Sequence, residues 1–220
     1  MSNLLNFISS YHQSTKRDFF GRMKDEKTNC MKIARKFDEE FWDGDRRYGY
    51  GGYKYIEGLL EPLAKSLIKY YNLTNTSKVL DVGCGKGFLL YEISKILPEI
   101  NLFGFDISEY AIKNSKKEIK NNLFVHNAKN KYPYKDKEFD LVISINTLHN
   151  LQIYNLEKAL NEIERVGKNK YTVVEGYRNE EELFNLQCWA LTAEAFFSKE
   201  EWEWIFERFK YTGDYEFIYF

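Results

Sequence analysis

The sequence predicts an α/β protein whose doubly wound, mostly parallel sheet carries helices on both faces, preceded by an N-terminal helical and loop extension. From Phe88 onward, strand-like and helix-like segments alternate, which is typical of parallel sheets covered by helices. A glycine-rich turn follows the first strand-like segment, and acidic or polar residues close the next ones. The 220 residues suffice for one substantial core, or for one domain with an extension.

The predicted strands are short apolar runs, at residues 78–82, 101–106, 123–126, 140–145 and 171–175. The helices between them are predicted at residues 87–97, 109–120 and 156–166. Ser108 suits the N-cap of the second helix, and Pro98 suits the end of the first.

The C-terminal part is less regular. Residues 179–197 read as a helix, and Ser198 with Glu201 forms a capping box that opens another helix over residues 200–209. Residues 214–220 form the single strand that follows it. With only this one strand after the last helix, the edge of the sheet either has one strand fewer or is completed by another segment of the chain. Because an uncovered edge invites pairing with a second chain, a homodimer is one prediction.

Residues 1–60 are predicted as an N-terminal extension, and residues 61–220 as the main domain. The extension shows helix-like spacing at residues 4–10 and 31–42. Residues 43–55, which we name the lid loop, combine glycines and tyrosines with acids and arginines. Glycines allow bending and tyrosines supply aromatic area with a polar tip, so we expect this loop to cover a binding site.

The glycine-rich turn Gly83-Cys84-Gly85-Lys86-Gly87 comes directly after a strand that contains Asp81. Such turns usually bind nucleotides, since glycine lets the backbone approach a ligand closely. A pyrophosphate held there would face the charge of Asp81, which is unfavourable for NAD or ATP. A ligand with a cation, a ribose and a base fits better, and S-adenosylmethionine carries both an ammonium and a sulfonium.

A second acid, Asp106, ends the next predicted strand, about 20 residues beyond the glycines, where a ribose-binding acid is expected in such folds. Its carboxylate can accept hydrogen bonds from both ribose hydroxyls. The two acids and the glycine turn together predict a site for an adenosyl ligand.

Residues 79–87, Asp106, the pair Asn127–Ala128 and residues 139–146 together resemble the class I S-adenosylmethionine-dependent methyltransferases of the Rossmann-like superfamily. The resemblance covers about residues 60–210. It implies that the glycine loop contacts the methionyl part of the cofactor and that the fourth strand ends beside the transferred methyl. The cofactor-binding residues that it implies are Asp81, Gly83, Gly85, Gly87, Asp106, Ile107, Asn127, Ala128 and Asn146.

Three residues are candidates for the chemistry. His149, on the acceptor side in such enzymes, has a near-neutral pKa suited to proton removal, although it could instead only shape its loop. Glu175 ends the fifth strand and could act as a base or ammonium anchor, or merely as a cap. Tyr50 could stabilise a sulfonium through its ring. Substrate contacts are predicted at Arg47, Tyr48 and Arg178, and Arg46 is an alternative to Arg47 as the partner of a carboxylate or phosphate.

Composition narrows the remaining options. The formal net charge of −1 gives no overall basic field for nucleic acid. Cys30, Cys84 and Cys188 form no CxxC pair, and no group of residues has metal-ligand spacing, so we expect neither disulfides nor a metal. The sequence contains no apolar run of membrane-spanning length and no signal-like N-terminus, so the predicted location is the cytoplasm.

The leading hypothesis is methyl transfer to an O or N atom of a small polar metabolite. The lid loop loosely resembles bacterial methyltransferases of surface-polysaccharide or secondary-metabolite pathways. Methylation of RNA, DNA or protein is the nearest alternative, but enzymes that methylate base amines resemble one another in an Asn/Asp-Pro-Pro-Tyr segment where this chain has Ser144-Ile145-Asn146-Thr147. A non-catalytic S-adenosylmethionine-binding protein remains open. A nicotinamide dehydrogenase is disfavoured by Asp81 and by the glycine spacing.

Overall fold

The computed structural model describes residues 2–8 and 16–220 and confirms the parallel sheet. Six strands lie in the order β3-β2-β1-β4-β5-β6, and every neighbouring pair is parallel. The strands are β1 (Lys78–Val82), β2 (Asn101–Asp106), β3 (Leu123–Val125), β4 (Phe139–Ile145), β5 (Gly167–Glu175) and β6 (Asp214–Ile218).

Helices cover both faces of this sheet. They are α1 (Phe19–Lys24), α2 (Lys27–Ala34), α3 (Glu39–Trp42), α4 (Glu61–Tyr70), α5 (Phe88–Ile96), α6 (Glu109–Lys113), α7 (Ile153–Val166), α8 (Glu180–Trp189) and α9 (Lys199–Arg208). Short 3₁₀ helices occur at Arg46–Tyr48, Lys120–Asn122 and Leu148–Asn150.

The two faces of the sheet form two separate cores because successive strand residues point to opposite sides. Val79 of β1 packs with α4 and α5, whereas the next residue, Leu80, packs with α7 and α9. The same division holds in β5, where Val173 and Val174 belong to different cores. The doubly wound arrangement is therefore confirmed.

Two helices are shorter than the sequence predicts, because the residues that follow them form hydrogen bonds with backbone carbonyls far away in the sequence. After α6, the N–H of Lys116 donates to the carbonyl of Lys86 in the glycine loop. After α8, the N–H groups of Glu194 and Ala195 donate to the carbonyl of His149. The helix predicted over residues 31–42 is broken at Phe37, whose φ is 51°, and continues as two separate helices.

The N-terminal segment completes the sheet edge. Leu4 forms a parallel bridge with Tyr215 of β6, and the N–H of Leu5 donates to the carbonyl of Tyr215 over 2.9 Å. The helix predicted over residues 4–10 is therefore wrong for its described part, and Ser9 and Ser10 lie outside the described residues. Since another segment completes the edge, the reasoning that led to a homodimer loses its basis, and the homodimer itself stays a prediction.

Glu216 of β6 holds the N-terminal segment in place. Its buried carboxylate accepts hydrogen bonds from the N–H groups of Phe7 (2.7 Å) and Ile8 (2.9 Å) and from the hydroxyl of Tyr171 (2.6 Å). No helix in the described part of the chain is both long and apolar enough to cross a membrane.

Replacing Glu216 with alanine should lower the free energy of unfolding by about 3 kcal/mol, because it strands two backbone donors and a buried hydroxyl. Urea denaturation measures this change. The matched control is Glu207→Ala on α9, where the glutamate is exposed, and its effect should stay within about 0.5 kcal/mol. Equal losses in the two variants would contradict the role of Glu216.

Candidate cofactor and acceptor site

The carboxyl ends of five parallel strands form one wall of a cavity of about 680 Å³. In sheet order, this wall presents residues 126–128 after β3, Asp106 of β2, Asp81 of β1, Asn146 after β4 and Glu175 of β5. We name the part over β1–β3 the cofactor half and the part over β4–β5 the acceptor half.

The glycine loop needs its glycines for both conformation and space. Gly83, Gly85 and Gly87 have φ values of 81°, 54° and 74°, in the region that disfavours side chains. A Cβ on Gly83 would lie 1.9 Å from Oγ1 of Thr147, after β4. The N–H groups of Gly83 and Cys84 donate to the carbonyl of Phe105, which binds the loop to the end of β2.

Asp106 is held rigidly by backbone donors. One carboxylate oxygen accepts the N–H of Gly85 (2.9 Å) and the other accepts the N–H of Ser108 (2.8 Å). Burial raises the pKa of Asp106, and these N–H groups counteract the rise. Each oxygen keeps a further lone pair, so the carboxylate can still accept the two hydroxyls of a ribose. The neighbouring Ile107 is an exposed apolar residue in the cavity wall.

Asp81 is only 5% exposed and accepts no hydrogen bond from the described residues. Burial, and secondly the charge of Asp106, raises its pKa to about 7. Lys86, the cation of the same loop, pairs with Asp43 instead. A buried carboxylate without a protein cation fits a cationic ligand group, so the residues suit the ammonium of S-adenosylmethionine.

The far end of the cofactor half is formed by the residues after β3. Asn127 and Ala128 line the cavity there, as the resemblance implies. His126, for which the sequence analysis predicted no role, lines it as well, and its Nε2 is buried with no hydrogen-bond partner among the described residues. Its position directly before Asn127, a predicted cofactor contact, could have indicated that it lies in the site.

The lid loop contacts the glycine loop directly. Nζ of Lys86 lies 2.7 Å from Oδ2 of Asp43 and also donates to the carbonyl of Tyr53. The hydroxyl of Tyr110 donates to the same Asp43 carboxylate. The ring of Tyr53 stacks on Phe88, with centroids 5.0 Å apart. This is the position that a lid requires, while the covering function itself stays a prediction.

The sequence missed Lys86 and Trp42, which hold this position. Trp42 is buried before the lid loop, and its Nε1 donates to Oγ of Ser108, the N-cap of α6. Its ring lies 3.0 Å from where a Cβ of Gly85 would be. The sequence alone gives little indication of this contact, because Trp42 and the glycine loop are about 40 residues apart in the chain.

Both ring nitrogens of His149 contact Glu175. Its Nδ1 accepts the N–H of Glu175 over 3.3 Å, and its Nε2 lies 3.5 Å from Oε2 of the same residue. Burial lowers the pKa of His149, while the charge of Glu175 raises it. A neutral ring that accepts at Nδ1 carries its proton on Nε2, so no lone pair remains for a substrate. The geometry favours His149 as the residue that orients Glu175.

Tyr50 faces the cavity and retains 42% of its surface. The surrounding protein, followed by the charges of Glu175 and Asp106, raises the pKa of its hydroxyl to about 12. It is therefore protonated near neutral pH. Its ring stacks on Trp42 with centroids 5.4 Å apart.

The three predicted substrate contacts lie outside the cavity. Arg47 pairs with Asp25 (2.6 Å) and Glu26 (3.0 Å), while Tyr48 packs against the small core of α2. Arg178 pairs with Glu182 of α8 and lies over the ring of Tyr219. The structure therefore does not bring these three predicted residues to the cavity, because each side chain has its partners elsewhere on the protein surface.

Other arginines occupy the acceptor half. Arg17, Arg22 and Arg46 line the cavity around Trp189 at the end of α8. Asn146 has a φ of 55°, and its buried Oδ1 has no hydrogen-bond partner among the described residues. Within residues 2–8 and 16–220, no group of His, Cys, Asp and Glu side chains could hold a metal ion.

The affinity for S-adenosylhomocysteine, which keeps the ammonium, should fall as the pH drops below about 7. Protonation makes Asp81 neutral and removes its attraction for the ammonium, so each further pH unit should cost up to about tenfold. Isothermal titration calorimetry measures the profile. Asp81→Asn should bind more weakly and lose this pH dependence. A wild-type affinity that is constant across this range would contradict the pairing.

Comparisons with known proteins show the family to which the chain belongs. Residues 73–210 match the family model described as a methyltransferase domain, which is more than half of the chain. The ribosomal RNA small subunit methyltransferase C of Buchnera aphidicola subsp. Acyrthosiphon pisum is 35% identical over 119 residues, covering 51% of this chain and 33% of that protein. The mitochondrial arginine-hydroxylase NDUFAF5 of Mus musculus is 30% identical over 109 residues, covering 50% and 31%. The chain thus spans about half or less of the length of the curated relatives it matches.

A solved complex of a Haloferax volcanii methyltransferase activator with a methyltransferase contains a chain of the same fold. The TM-score is 0.55 at 18% identity, covering 89% of this chain and 77% of that one. At this identity the likeness concerns the fold alone. The family match and the fold agree with each other, and the methyl donor of this family is S-adenosylmethionine. The chain belongs to the class I S-adenosylmethionine-dependent methyltransferases.

Proposed function

We propose that this methyltransferase acts on an O or N atom of a small polar metabolite. The observation that carries the proposal is the acceptor half of the cavity, which lies between the ends of β4 and β5, the lid loop and residues 189–192. The whole cavity of about 680 Å³ lies within the range of roughly 300–1,000 Å³ found for small-ligand sites. Cofactor and acceptor share that volume, so the space beside the cofactor suits a small molecule.

The cofactor half supplies the binding groups for S-adenosylmethionine. Asp81 pairs with its ammonium, Asp106 accepts its ribose hydroxyls, and Asn127 with Ala128 flanks its adenine. When bound, the cofactor supplies an electrophilic methyl group. The protein then has to orient the acceptor, exclude water and accept a proton.

Glu175 is the proposed proton acceptor or ammonium anchor. Its carboxylate lines the cavity at the end of β5, beside the acceptor half, with His149 behind it. One face of the carboxylate contacts His149, which leaves its other lone pairs for an acceptor hydroxyl or ammonium. His149 acts as a positioning residue in this arrangement.

Tyr50 is proposed to cover the transferred methyl rather than to remove a proton. Its high pKa keeps the hydroxyl protonated, so it can donate a hydrogen bond but is a poor base. Its ring packs with those of Trp42 and Tyr53, and this aromatic group is proposed to exclude water and to offer an aromatic face to a cation.

The acceptor class can be tested by following a labelled methyl group from S-adenosylmethionine. The protein is incubated separately with an ultrafiltered metabolite extract, total RNA and a protein fraction. The proposal expects label in the metabolites together with release of S-adenosylhomocysteine. The Asp106→Ala variant serves as the negative control, since it removes the ribose acceptor.

Label in RNA would contradict the proposal and favour the activity that the Buchnera relative carries in its name. Label in protein would also contradict it. The activator complex of the structural neighbour makes a dependence on a partner protein worth testing in each of these reactions. Label in none of them, with intact S-adenosylhomocysteine binding, would favour a binding protein without turnover.

Glu175→Gln should lower kcat for a hydroxyl acceptor by about 100-fold or more, because it removes the base but keeps the shape. His149→Gln should reduce kcat less and leave the acidic limb of the kcat–pH profile in place. Steady-state kinetics over pH with the acceptor found above measures both. Loss of that limb in His149→Gln, with the limb retained in Glu175→Gln, would reverse the two roles.

A further inference from the structure

Three guanidinium groups converge on one ring in the acceptor half. The carbon centres of Arg17, Arg22 and Arg46 lie 5.5, 4.5 and 5.1 Å from the ring centroid of Trp189. We name these three residues the arginine cluster. They come from different parts of the N-terminal extension, so the fold brings together charges that the sequence keeps apart.

Two of these three charges, those of Arg22 and Arg46, have no acidic partner within the ion-pair distance of 4.0 Å among the described residues. The nearby acids Asp25, Glu26 and Glu194 pair with other arginines, namely Arg47 and Arg35. Burial, and secondly the charge of Arg46, lowers the pKa of Arg22 to about 10. Like charges that are held together and partly desolvated favour an anion between them.

The C-terminus of α8 does not account for the cluster. Lys27 already donates to the carbonyls of Gln187 and Cys188, and Nε of Arg22 donates to the carbonyl of Trp189. Arg46 instead donates to the carbonyl of Gly49 in its own loop. Stabilisation of a helix end therefore explains Lys27 and Nε of Arg22, while Nη1 of Arg22 donates to the carbonyl of Arg46 (3.0 Å). Neither contact explains the position of the Arg46 guanidinium.

The cluster lies beside the proposed proton acceptor, since Arg17 is close enough to Glu175 for their charges to interact. Guanidinium groups present paired donors that match the oxygens of a phosphate or carboxylate. An acceptor that is anchored by such a group at Trp189 would extend its nucleophilic atom toward Glu175.

We propose that the arginine cluster binds an oxyanion of the methyl acceptor, which makes the acceptor a phosphorylated or carboxylated small molecule. This inference rests on the proposed function, because it assumes a small acceptor in the same cavity. It goes beyond that function by naming the group that is recognised and the residues that recognise it.

The test is calorimetric titration of the S-adenosylhomocysteine-bound protein with inorganic phosphate and, separately, with acetate at constant ionic strength. At least one of the two anions should bind saturably, and the stronger one indicates a phosphorylated or a carboxylated acceptor. Arg46→Gln should weaken that binding about tenfold or more, since one charge-assisted contact is lost.

The matched control is Arg47→Gln, which removes the same charge from the adjacent residue of the same 3₁₀ helix but outside the cavity. It should change anion affinity by less than about twofold, because Arg47 lies outside the cavity and its charge is paired with Asp25 and Glu26. If Arg46→Gln does not fold, Arg46→Lys replaces it and should weaken binding at least about threefold, since lysine lacks the planar fork.

Two results would overturn the inference: no saturable binding of either anion, or equal effects of the Arg46 and Arg47 variants. Both are measured without turnover on protein that binds S-adenosylhomocysteine. A failure here therefore leaves the small-metabolite function standing, whereas label entering RNA or protein in the transfer assay rejects that function independently.

Discussion

A buried carboxylate without a protein cation, Asp81, is the constraint around which this site is organised. Its pKa near 7, against 3.8 for a free aspartate, corresponds to a penalty on the order of 4 kcal/mol for the charged form. The parallel sheet adds to the effect of burial, because every strand ends at the same edge and Asp106 lies on the adjacent strand. A cationic ligand group offsets the penalty, so the electrostatics around Asp81 favour such a ligand.

The lysine of the glycine loop does not pair with that carboxylate. Lys86 sits in the glycine loop, and an unengaged ammonium there would compete with the ligand for Asp81. Asp43 and the carbonyl of Tyr53 occupy it instead. The N-terminal extension thus contributes to the cofactor half from outside the parallel sheet, by fixing the glycine loop and by neutralising its one cation. The family match, which begins at residue 73, does not include this contribution.

The sequence predicted what local chemistry determines and missed what long-range contacts determine. The bounds of β1 and β2 and the capping box of Ser198 were predictable, because apolar runs and capping residues act within a few positions. The shortened α6 and α8 were not, since the carbonyls of Lys86 and His149 that capture the chain lie far away in sequence. The sequence alone also could not show which of Arg46 and Arg47 faces the cavity. Successive residues of a 3₁₀ helix point about 120° apart, and only the packed structure shows which one faces the cavity.

The two halves of the cavity carry different sets of charged residues, and this order has a chemical consequence. Asp81 and Asp106 line the cofactor half, whereas three arginines line the acceptor half beside Glu175, although the whole chain is nearly neutral. A dinucleotide would place its pyrophosphate against Asp81 and leave the arginines unused. In the proposed complex, the cationic donor meets Asp81 over β1, whereas the oxyanion of the acceptor meets the arginines around Trp189 and its nucleophilic atom faces Glu175. On these two proposals, the charge pattern helps to orient both reactants before any proton is moved.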